Sequence, residues 1–599
     1  MRECPPALPF AFAVGITGHR KEALPPDGLA AVEERLRHVL RSLADAAAVT
    51  HASNAEFFSA QPPRLTFVSP LADGADQMGA RIALELGFEL HAILPFGRDE
   101  YRSDLGDAAS REGLDELLGR ATCVLELPGD RSAELDAYVM AGRATVAHSD
   151  LLIAVWDGLP PRGRGGTGEV VRVAHDRATP LVHVPVDASE PVSLRWSAFE
   201  PAMVTHSDDP TNVRLFDEEE LRAVVTAIVS PPPGAQERQF IRKFQGECRR
   251  KIRTRIEYPL LLAATGVSGF RRQHWRSDAC AEQTHAEWRT YCDACDRVKA
   301  VTAPLTSLQL WYEWADSLAG HFAQCYRSGH VFNFVLGAMA VLLALTALVL
   351  PQLKPALAVC EFAAVCGILL NTWLGNRNQW HRRWLDYRQL AERLRPMRSL
   401  KMLGIASPDP PGTEANPVPH RWIEWYASAV WRSIGCPSGQ IDPVKLAILT
   451  ATIAEHELQP QIDYHHSTAH QAHRLDHRLE LVGYGMFGAT LLAIVVLLVA
   501  LVADHHWATE RLGSFTLITA GLPAVGTAIF GIRIQGDYVG SAVRSEQTGL
   551  VLEHIAERLA RDPSNLSRAG NLMEEAARTM HVDLDEWRLL NQQHDLSVG

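Results

Sequence analysis

Four long apolar segments in the second half of the chain limit what this protein can fold into. Residues 331–350 carry no charged side chain over 20 positions. At a helical rise of about 1.5 Å per residue, this length crosses a hydrocarbon core of ~30 Å. Residues 356–373, 481–503 and 512–532 form three similar runs, of which the first contains one acid, Glu361. The sequence therefore predicts four transmembrane helices, arranged as two hairpins with short turns.

Basic residues are distributed unevenly around these segments. Residues 377–401 contain eight Arg and Lys side chains, whereas the turns at 351–355 and 504–511 contain one each. Positive charge accumulates on the cytoplasmic side of membrane proteins. We therefore expect both turns to face outward, and both termini and the segment between the hairpins to be cytoplasmic. In this orientation Glu361 lies nearer the outer face, and it is the candidate pore residue, although snorkelling to the outer headgroups is an alternative.

The first 200 residues show a different pattern, in which short apolar runs alternate with helical periodicity. Strand-like runs occur at residues 11–14, 65–68, 90–94, 151–156 and 181–184, and another is expected at 124–127. This alternation predicts a Rossmann-like α/β domain with a parallel sheet. Ligands of such sheets bind at the carboxyl ends of the strands.

Three loops that follow predicted strands carry residue types suited to a phosphate-containing ligand. Glycines let the backbone approach the ligand, helix N-termini offer N–H groups to an anion, and an acid such as Asp76 can hold a ribose hydroxyl. Glycine-rich turns also occur for purely structural reasons, so each loop alone is a weak signal. The candidate ligand-binding residues are Gly15, Thr17, Gly18, His19, Arg20, Gly74, Asp76, Asp157, Gly165, Gly166, Thr167, Gly168 and Glu169.

The ordered motifs GITGHR at 15–20, GADQMGA at 74–80 and SDLLIAVWDG…RGGTGEVV at 149–171 resemble the SLOG superfamily. This is the Rossmann-like group that includes the DprA and LOG (Lonely Guy) proteins. The resemblance covers residues 10–190 and implies binding of a nucleotide or an ADP-ribose-type ligand. Some LOG members hydrolyse nucleoside monophosphates with a glutamate of the signature PGGxGTxxE. This chain lacks that proline and places Glu169 directly after Gly168, which favours binding over hydrolysis.

A second resemblance covers the first predicted hairpin and the polar helix after it. The helix reads Trp384-Leu385-Asp386-Tyr387-Arg388, then Ala391-Glu392-Arg393-Leu394, and with the hairpin it resembles the SLATT domains of prokaryotic conflict systems. That family is implied to form membrane pores that kill or arrest an infected cell. The second hairpin precedes a shorter match, Tyr538-x-x-x-Ala542, which favours a diverged repeat of the first.

The expected protein is thus a bacterial inner-membrane effector in antiphage defence. A cytoplasmic sensor binds a nucleotide second messenger and gates or assembles a pore, with the lipid bilayer and further copies of the chain as partners. Two alternatives stay open: a membrane-anchored nucleotide hydrolase of LOG type, using Arg20 or Arg164 with Glu169, and a nucleotide-gated channel or transporter in ordinary homeostasis. The first alternative would be a phosphoribohydrolase or N-glycosidase, but a sensor without catalysis is preferred.

Composition excludes several other functions. The formal net charge of −12 argues against a nucleic-acid partner. The sequence predicts no resident cofactor or metal, because the CxxC at Cys292 and Cys295 lacks further ligands nearby and the His-rich stretch 456–477 is interpreted as a polar helix. The basic run at 238–255 is interpreted as a lipid-facing helix. The predicted segments are a sensor at 1–200, a linker and basic helix at 201–255, the first hairpin region at 256–400, cytoplasmic helices at 401–480, and the second hairpin region at 481–599.

Overall fold

The computed structural model describes residues 5–24, 28–160, 165–199, 212–248, 253–408, 418 and 420–591. Arg164 and residues 249–251 of the basic run lie outside this part of the chain. The predicted fold class is confirmed: an N-terminal α/β unit with a mostly parallel sheet precedes a helical region that contains four long apolar helices.

Ten strands form a single sheet in the order β8-β7-β6-β5-β1-β2-β3-β4-β10-β9. The pairs along the stretch from β6 to β10 are parallel, whereas β7 pairs antiparallel with both of its neighbours and β9 pairs antiparallel with β10. The strands are β1 Ala11–Gly18, β2 Arg64–Ser69, β3 Glu89–Leu94, β4 Cys123–Glu126, β5 Leu151–Trp156, β6 Leu181–Pro185, β7 Ser193–Arg195, β8 Val213–Leu215, β9 Val301–Thr302 and β10 Ser438–Gln440.

Helices cover both faces of this sheet and make up most of the second half of the chain. They are α1 Leu29–Ser53, α2 Ala75–Glu85, α3 Arg98–Arg102, α4 Ala108–Arg120, α5 Glu134–Ala147, α6 Thr167–Asp176, α7 Glu218–Val229, α8 Ala235–Gln245, α9 Glu257–Ala264, α10 Ser277–Val298, α11 Leu305–Val349, α12 Lys354–Arg377, α13 Trp380–Leu394, α14 Met397–Leu403, α15 Trp422–Ile434, α16 Pro443–Ile453, α17 Gln459–Ala503, α18 His505–Glu510, α19 Leu512–Gly536, α20 Tyr538–Arg561 and α21 Leu566–Asn591.

The α/β unit continues past residue 200. Strand β8 extends the sheet, and α7 packs against α1. The buried Asn54 side chain donates to Ser230 Oγ at 3.1 Å, and the hydroxyls of Thr50 and Thr226 lie 3.2 Å apart. Because these polar groups satisfy each other, α7 is held to the α/β unit by specific hydrogen bonds as well as by apolar packing.

The two halves of the chain share both a sheet edge and an apolar core. Strand β10, which belongs to the helical half, pairs with β4 through the registers Gly439 with Leu125 and Gln440 with Glu126. Residues of β4 and α5 belong to the same apolar cluster as tryptophans of α10 and α15. The α/β unit is therefore packed directly against the helical region. Because the two share the β4–β10 pairing and one apolar core, a displacement of β4 also displaces the helices that pack on it.

Four helices are long and apolar enough to cross a membrane, by length and composition. Helices α11 and α19 lie antiparallel, with Gly531 facing Phe334, Gly521 facing Leu342 and Gly513 next to Leu348. The turns of both hairpins consequently lie at the same end of the bundle, and the α/β unit lies at the other. The runs at 331–350 and 481–503 are only the apolar ends of α11 and α17, which begin 26 and 22 residues earlier, respectively.

Candidate functional site

A pocket of about 700 Å³ opens at the carboxyl ends of β1 and β5. These two strands are neighbours, and the strand order reverses between them, since the chain runs from β1 outward to β4 and then returns to β5 on the other side of β1. In open α/β sheets such a reversal separates the loops that follow the two strands and leaves a crevice for a ligand. The volume lies in the range typical of small-molecule sites.

Most of the predicted ligand-binding residues meet in this pocket. Those in its lining are Thr17, Gly18, His19, Arg20, Asp76, Asp157, Gly165, Gly166, Thr167 and Gly168. The three others, Gly15, Gly74 and Glu169, do not line it. The structure thus brings the three loops together around one cavity.

Gly15 and Gly74 have packing roles close to the pocket. A side chain on Gly15 would collide with Ser149, which packs against β1. Gly74 has a φ of +99° and lies against the backbone of residues 19–21, so a Cβ there would meet Lys21 N at 2.5 Å. This close approach allows the amide of Ala75, the first residue of α2, to donate to the His19 carbonyl oxygen at 3.2 Å. Gly74 therefore fixes the loop after β1 to the start of α2.

Asp76 is the most unusual titratable group of the pocket. Its side chain is buried, and its Oδ1 has no hydrogen-bond partner among the described residues. Burial raises the pKa of Asp76 to about 8, although the nearby Arg20 guanidinium and the Ala72 backbone act in the opposite direction. The carboxyl is therefore mostly protonated at neutral pH, and it can donate a hydrogen bond to a ligand oxygen as well as accept one.

Arg20 supplies positive charge to the same cavity, and His19 lies beside it in the lining. The Arg20 guanidinium lies 5.4 Å from the centre of the Tyr138 ring and 3.9 Å from Asp73. His19 Nε2 lies 3.5 Å from Asp157 Oδ2, so the loops after β1 and β5 are in contact. Arg20, His19, Tyr138 and Asp157 line the pocket, where they can exchange partners with a ligand.

Tyr138 and Tyr101 are pocket residues that the sequence did not mark as binding residues. Tyr138 belongs to α5, donates to Asp104 Oδ2 at 2.7 Å, and has its pKa raised by burial and by that carboxylate. Tyr101 is almost fully buried in α3. Helix α5 also contributes small residues to the lining, among them Gly142. No glycine motif or strand end precedes Tyr138, so sequence pattern alone carried no signal for it.

The N-terminus of α6 faces the open part of the pocket. Gly166 is the N-cap residue of this ten-residue helix, and a Cβ built on it would meet no atom of the described part of the chain within 4 Å. Gly165 has a φ of +81° and packs on Leu135 and Tyr138, which only a glycine does without strain. The unpaired N–H groups of a first helical turn, together with the helix dipole, favour an anion at this position.

Glu169 is turned away from the cavity and braces the loop. Its Oε2 accepts a hydrogen bond from the Gly165 amide at 2.7 Å, and its Oε1 lies 3.2 Å from Arg172 Nη2. The carboxylate is buried to about nine-tenths. In this arrangement Glu169 stabilises the glycine loop and does not contact the pocket in which a ligand would lie.

Polar groups of the helical region are mostly paired with one another. Glu361 is half-buried in the first half of α12. Nearer the C-terminus of the same helix, Asn371 donates to Asn333 Oδ1 at 2.7 Å and accepts from Arg255 Nη1 at 2.7 Å. Arg255, from the predicted lipid-facing basic run, thus reaches into the first hairpin. This network was not anticipated from the sequence.

The helix that resembles SLATT domains is largely internal. Asp386 accepts from the indole of Trp422 at 3.1 Å and pairs with Arg382 at 3.5 Å, while the Tyr387 hydroxyl donates to Glu247 at 2.9 Å. The polar residues of this segment therefore tie α13 to α15 and to the chain after α8. Two of the cations counted for orientation, Arg398 and Lys401, are each 1% exposed and belong to the core.

The His-rich and CxxC segments have internal partners. His466 and His473 of α17 lie 3.5 and 3.0 Å from Glu553 and Glu546 of α20. Burial raises the pKa of the Cys295 thiol to about 12, which keeps it a neutral thiol. Among the described residues no group of three or more His, Cys, Asp or Glu side chains is arranged to hold a metal ion.

Fold and site together define a protein with a Rossmann-like α/β unit, a pocket at its strand reversal and four candidate membrane helices. Residues 311–400 match the family described as "Protein of unknown function (DUF4231)". This segment runs from α11 through α12 and α13 into α14, so it contains the first candidate hairpin and its internal polar helix. Neither the curated proteins nor the solved structures that were compared contain a match to this chain.

Proposed function

We propose that this protein is a bacterial inner-membrane effector whose α/β unit binds a nucleotide-derived signal and thereby opens or assembles a pore. The observation that carries the proposal is the pocket, in which ten motif residues from three loops surround one cavity on a chain with four candidate membrane helices. The resemblances to SLOG and SLATT domains add the role, which is membrane disruption in antiphage defence.

The pocket chemistry suits a nucleotide or an ADP-ribose derivative. A phosphate fits at the N-terminus of α6 beside Gly166, where backbone N–H groups and the helix dipole favour an anion. The carboxyl of Asp76 is available to a ribose hydroxyl, because one of its oxygens has no partner in the described residues. Arg20 and the ring of Tyr138 offer a charged and an aromatic surface to the remainder of the ligand.

Sensing is favoured over hydrolysis by the position of Glu169. A catalytic carboxylate has to reach the reacting atoms. This one is buried, hydrogen-bonded to the Gly165 amide and paired with Arg172. Burial also raises the pKa of Asp76 to about 8, which disfavours this second pocket acid as the base.

A buried ion-pair cluster connects the pocket to the candidate membrane helices. Glu574 of α21 lies 2.7 Å from Arg177, which follows α6, and 3.1 Å from Arg143 of α5. Both α5 and α6 line the pocket. Helix α21 packs on α20, and α20 packs on α17. A ligand that shifts α6 relative to α5 would change the distances from Glu574 to Arg177 and Arg143. The packing of α21 on α20, and of α20 on α17, would change with them.

The proposed topology places the α/β unit in the cytoplasm and both hairpin turns outside. Cysteines at Gln352 and His506 are expected to react with a membrane-impermeant thiol reagent on intact cells, because both turns lie at the end of the bundle opposite the α/β unit. A cysteine at Asp463, which is exposed on the inner part of α17, should react only after lysis. The background requires replacement by serine of Cys248, Cys360 and Cys366, which are the exposed cysteines among the described side chains, and also of Cys4 and Cys280. Labelling at position 463 in intact cells would contradict the proposed topology and support the opposite orientation.

The pore proposal predicts ligand-dependent ion flux from the purified full-length protein in liposomes, without consumption of the nucleotide. Glu361→Gln removes one charge from α12 and should change cation conductance, while nucleotide affinity stays within about threefold because the two sites share no contacts. Glu510→Gln, on an exposed acid of the outer turn, is the matched control and should leave conductance unchanged. Steady turnover of nucleotide without ion flux would contradict the pore proposal and favour the membrane-anchored nucleotide hydrolase.

A further inference from the structure

A small basic cleft lies where the first candidate hairpin returns to the α/β unit. We call it the basal cleft: its polar lining is Lys243 of α8, Gln379 at the junction before α13, and Arg382, Arg383 and Asp386 of α13, and three aromatic side chains complete its wall. Gln379 has a φ of +53°, in the left-handed region, and this turn separates the candidate membrane helix α12 from α13. The turn brings Arg382 and Arg383 beside Lys243 of α8.

The three cations of the basal cleft are incompletely neutralised by the protein. Arg382 shares Asp386 with Arg421, at 3.5 and 3.7 Å, and Arg383 shares Glu247 with the Tyr387 hydroxyl. Lys243 donates to the neutral Gln379 Oε1 at 2.9 Å. Its pKa is lowered by burial and by the two neighbouring guanidinium groups. Cations held this close to one another favour an added anion.

Unsatisfied donors point to the same conclusion. Arg382 Nη1 and Arg383 Nε are buried, and neither has a hydrogen-bond partner among the described residues. Lys243 uses one of its three N–H groups on Gln379. Leaving buried donors unpaired costs about 1–3 kcal/mol each. A phosphate group at the mouth of the cleft would accept from the Lys243 ammonium, and its negative charge would offset the clustered guanidinium groups behind it.

The position of the basal cleft indicates that its anion comes from a lipid. Two residues before Gln379, the Arg377 guanidinium lies 4.9 Å from the ring of Trp373, and this tryptophan is 53% exposed. Paired aromatic and basic side chains at the end of an apolar helix mark the level of the headgroups. The enclosed space is only about 10 Å³, which leaves room at the mouth for a headgroup phosphate and none for an enclosed small molecule.

We propose that the basal cleft binds the phosphate of an anionic phospholipid of the inner leaflet. The lipid would anchor the junction between α12 and α13 to the membrane surface. The proposal rests on insertion of the first hairpin, which the proposed function shares, but not on nucleotide binding or on a pore.

The experiment measures stabilisation of the detergent-purified full-length protein by phosphatidylglycerol, without nucleotide, with phosphatidylcholine and soluble glycerol 3-phosphate as comparison ligands. Phosphatidylglycerol should raise the melting temperature, and neither comparison ligand at equal concentration should do so. Lys243→Gln should raise the apparent Kd for phosphatidylglycerol about fivefold, as expected for the loss of one basic contact near the membrane surface.

The controls separate a specific site from general attraction. Arg474→Gln removes one exposed cation from the inner part of α17 and should leave the Kd unchanged, and Lys243→Arg should keep it within about twofold. Equal affinity of the wild-type protein and Lys243→Gln would overturn the proposal. Equal stabilisation of the wild-type protein by glycerol 3-phosphate would overturn the proposal that the ligand is a lipid, and would assign the cleft to a soluble anion.

Discussion

Replacing Gly166 with aspartate is expected to abolish nucleotide binding while the chain remains folded. A Cβ at this position meets no atom of the described residues within 4 Å, and the backbone φ is −87°, so the substitution causes no clash with them and no backbone strain. The new carboxylate would occupy the N-terminus of α6, where the ligand phosphate is proposed to lie, and would compete with it and repel it. We expect the Kd to rise at least 100-fold, measured by calorimetry on the full-length protein.

Gly166→Ala is the matched control for this variant. A methyl group points into the same open space without a charge, so affinity should fall by less than about fivefold. Because an acid at a helix N-terminus is favourable, the melting temperature of Gly166→Asp without ligand should be unchanged or slightly raised. An unaltered Kd in Gly166→Asp would place the phosphate away from α6.

The second large effect is expected at Glu574, whose replacement by glutamine should separate binding from flux. Glutamine keeps the shape of the side chain and can still accept hydrogen bonds, but it removes the charge that lies between Arg177 and Arg143. Nucleotide affinity should stay within about threefold, since Glu574 does not line the pocket. Ligand-dependent flux in liposomes should fall at least tenfold.

The neighbouring residue provides the control for this experiment. Glu575 lies on the same helix and pairs with Arg558 at 3.0 Å, but this pair is exposed and joins α21 to α20 only. Glu575→Gln should therefore leave both affinity and flux close to wild type, because exposed ion pairs contribute little. Unchanged flux in Glu574→Gln with intact secondary structure would show that the signal reaches the membrane helices by another route.

Sequence pattern was sufficient to predict the elements whose structure follows from the local periodicity of apolar residues. The alternation of strands and helices predicted the parallel sheet, and the apolar runs predicted the four long helices. Thr17, Asp76 and Gly166 could be grouped because the carboxyl ends of parallel strands lie at one edge. Tyr138 could not be added, since its place in the pocket depends on the packing of α5 and not on any nearby motif.

Charge was the least reliable guide from sequence to structure. Arg398 was counted among cations that mark the cytoplasmic surface, but it is buried against Glu457, a partner 59 positions away. Arg255 similarly belongs to a basic run and yet hydrogen-bonds Asn371 inside the first hairpin. From sequence alone, a basic residue is expected to be exposed. Whether it is instead buried depends on a partner side chain, which tertiary structure brings from a distant part of the chain.

Strand β10, which pairs with β4, also has a consequence for the synthesis of the protein. Its Ser438 side chain bonds the backbone of Val124, a residue that leaves the ribosome 314 positions earlier. At about 5–20 residues per second, β4 waits roughly 15–60 s for this partner. The first candidate hairpin emerges during that interval. Until β10 arrives, the β4 edge offers unpaired N–H and C=O groups to any other chain. The β4 edge is thus open to pairing with other chains throughout the time in which the first hairpin is made.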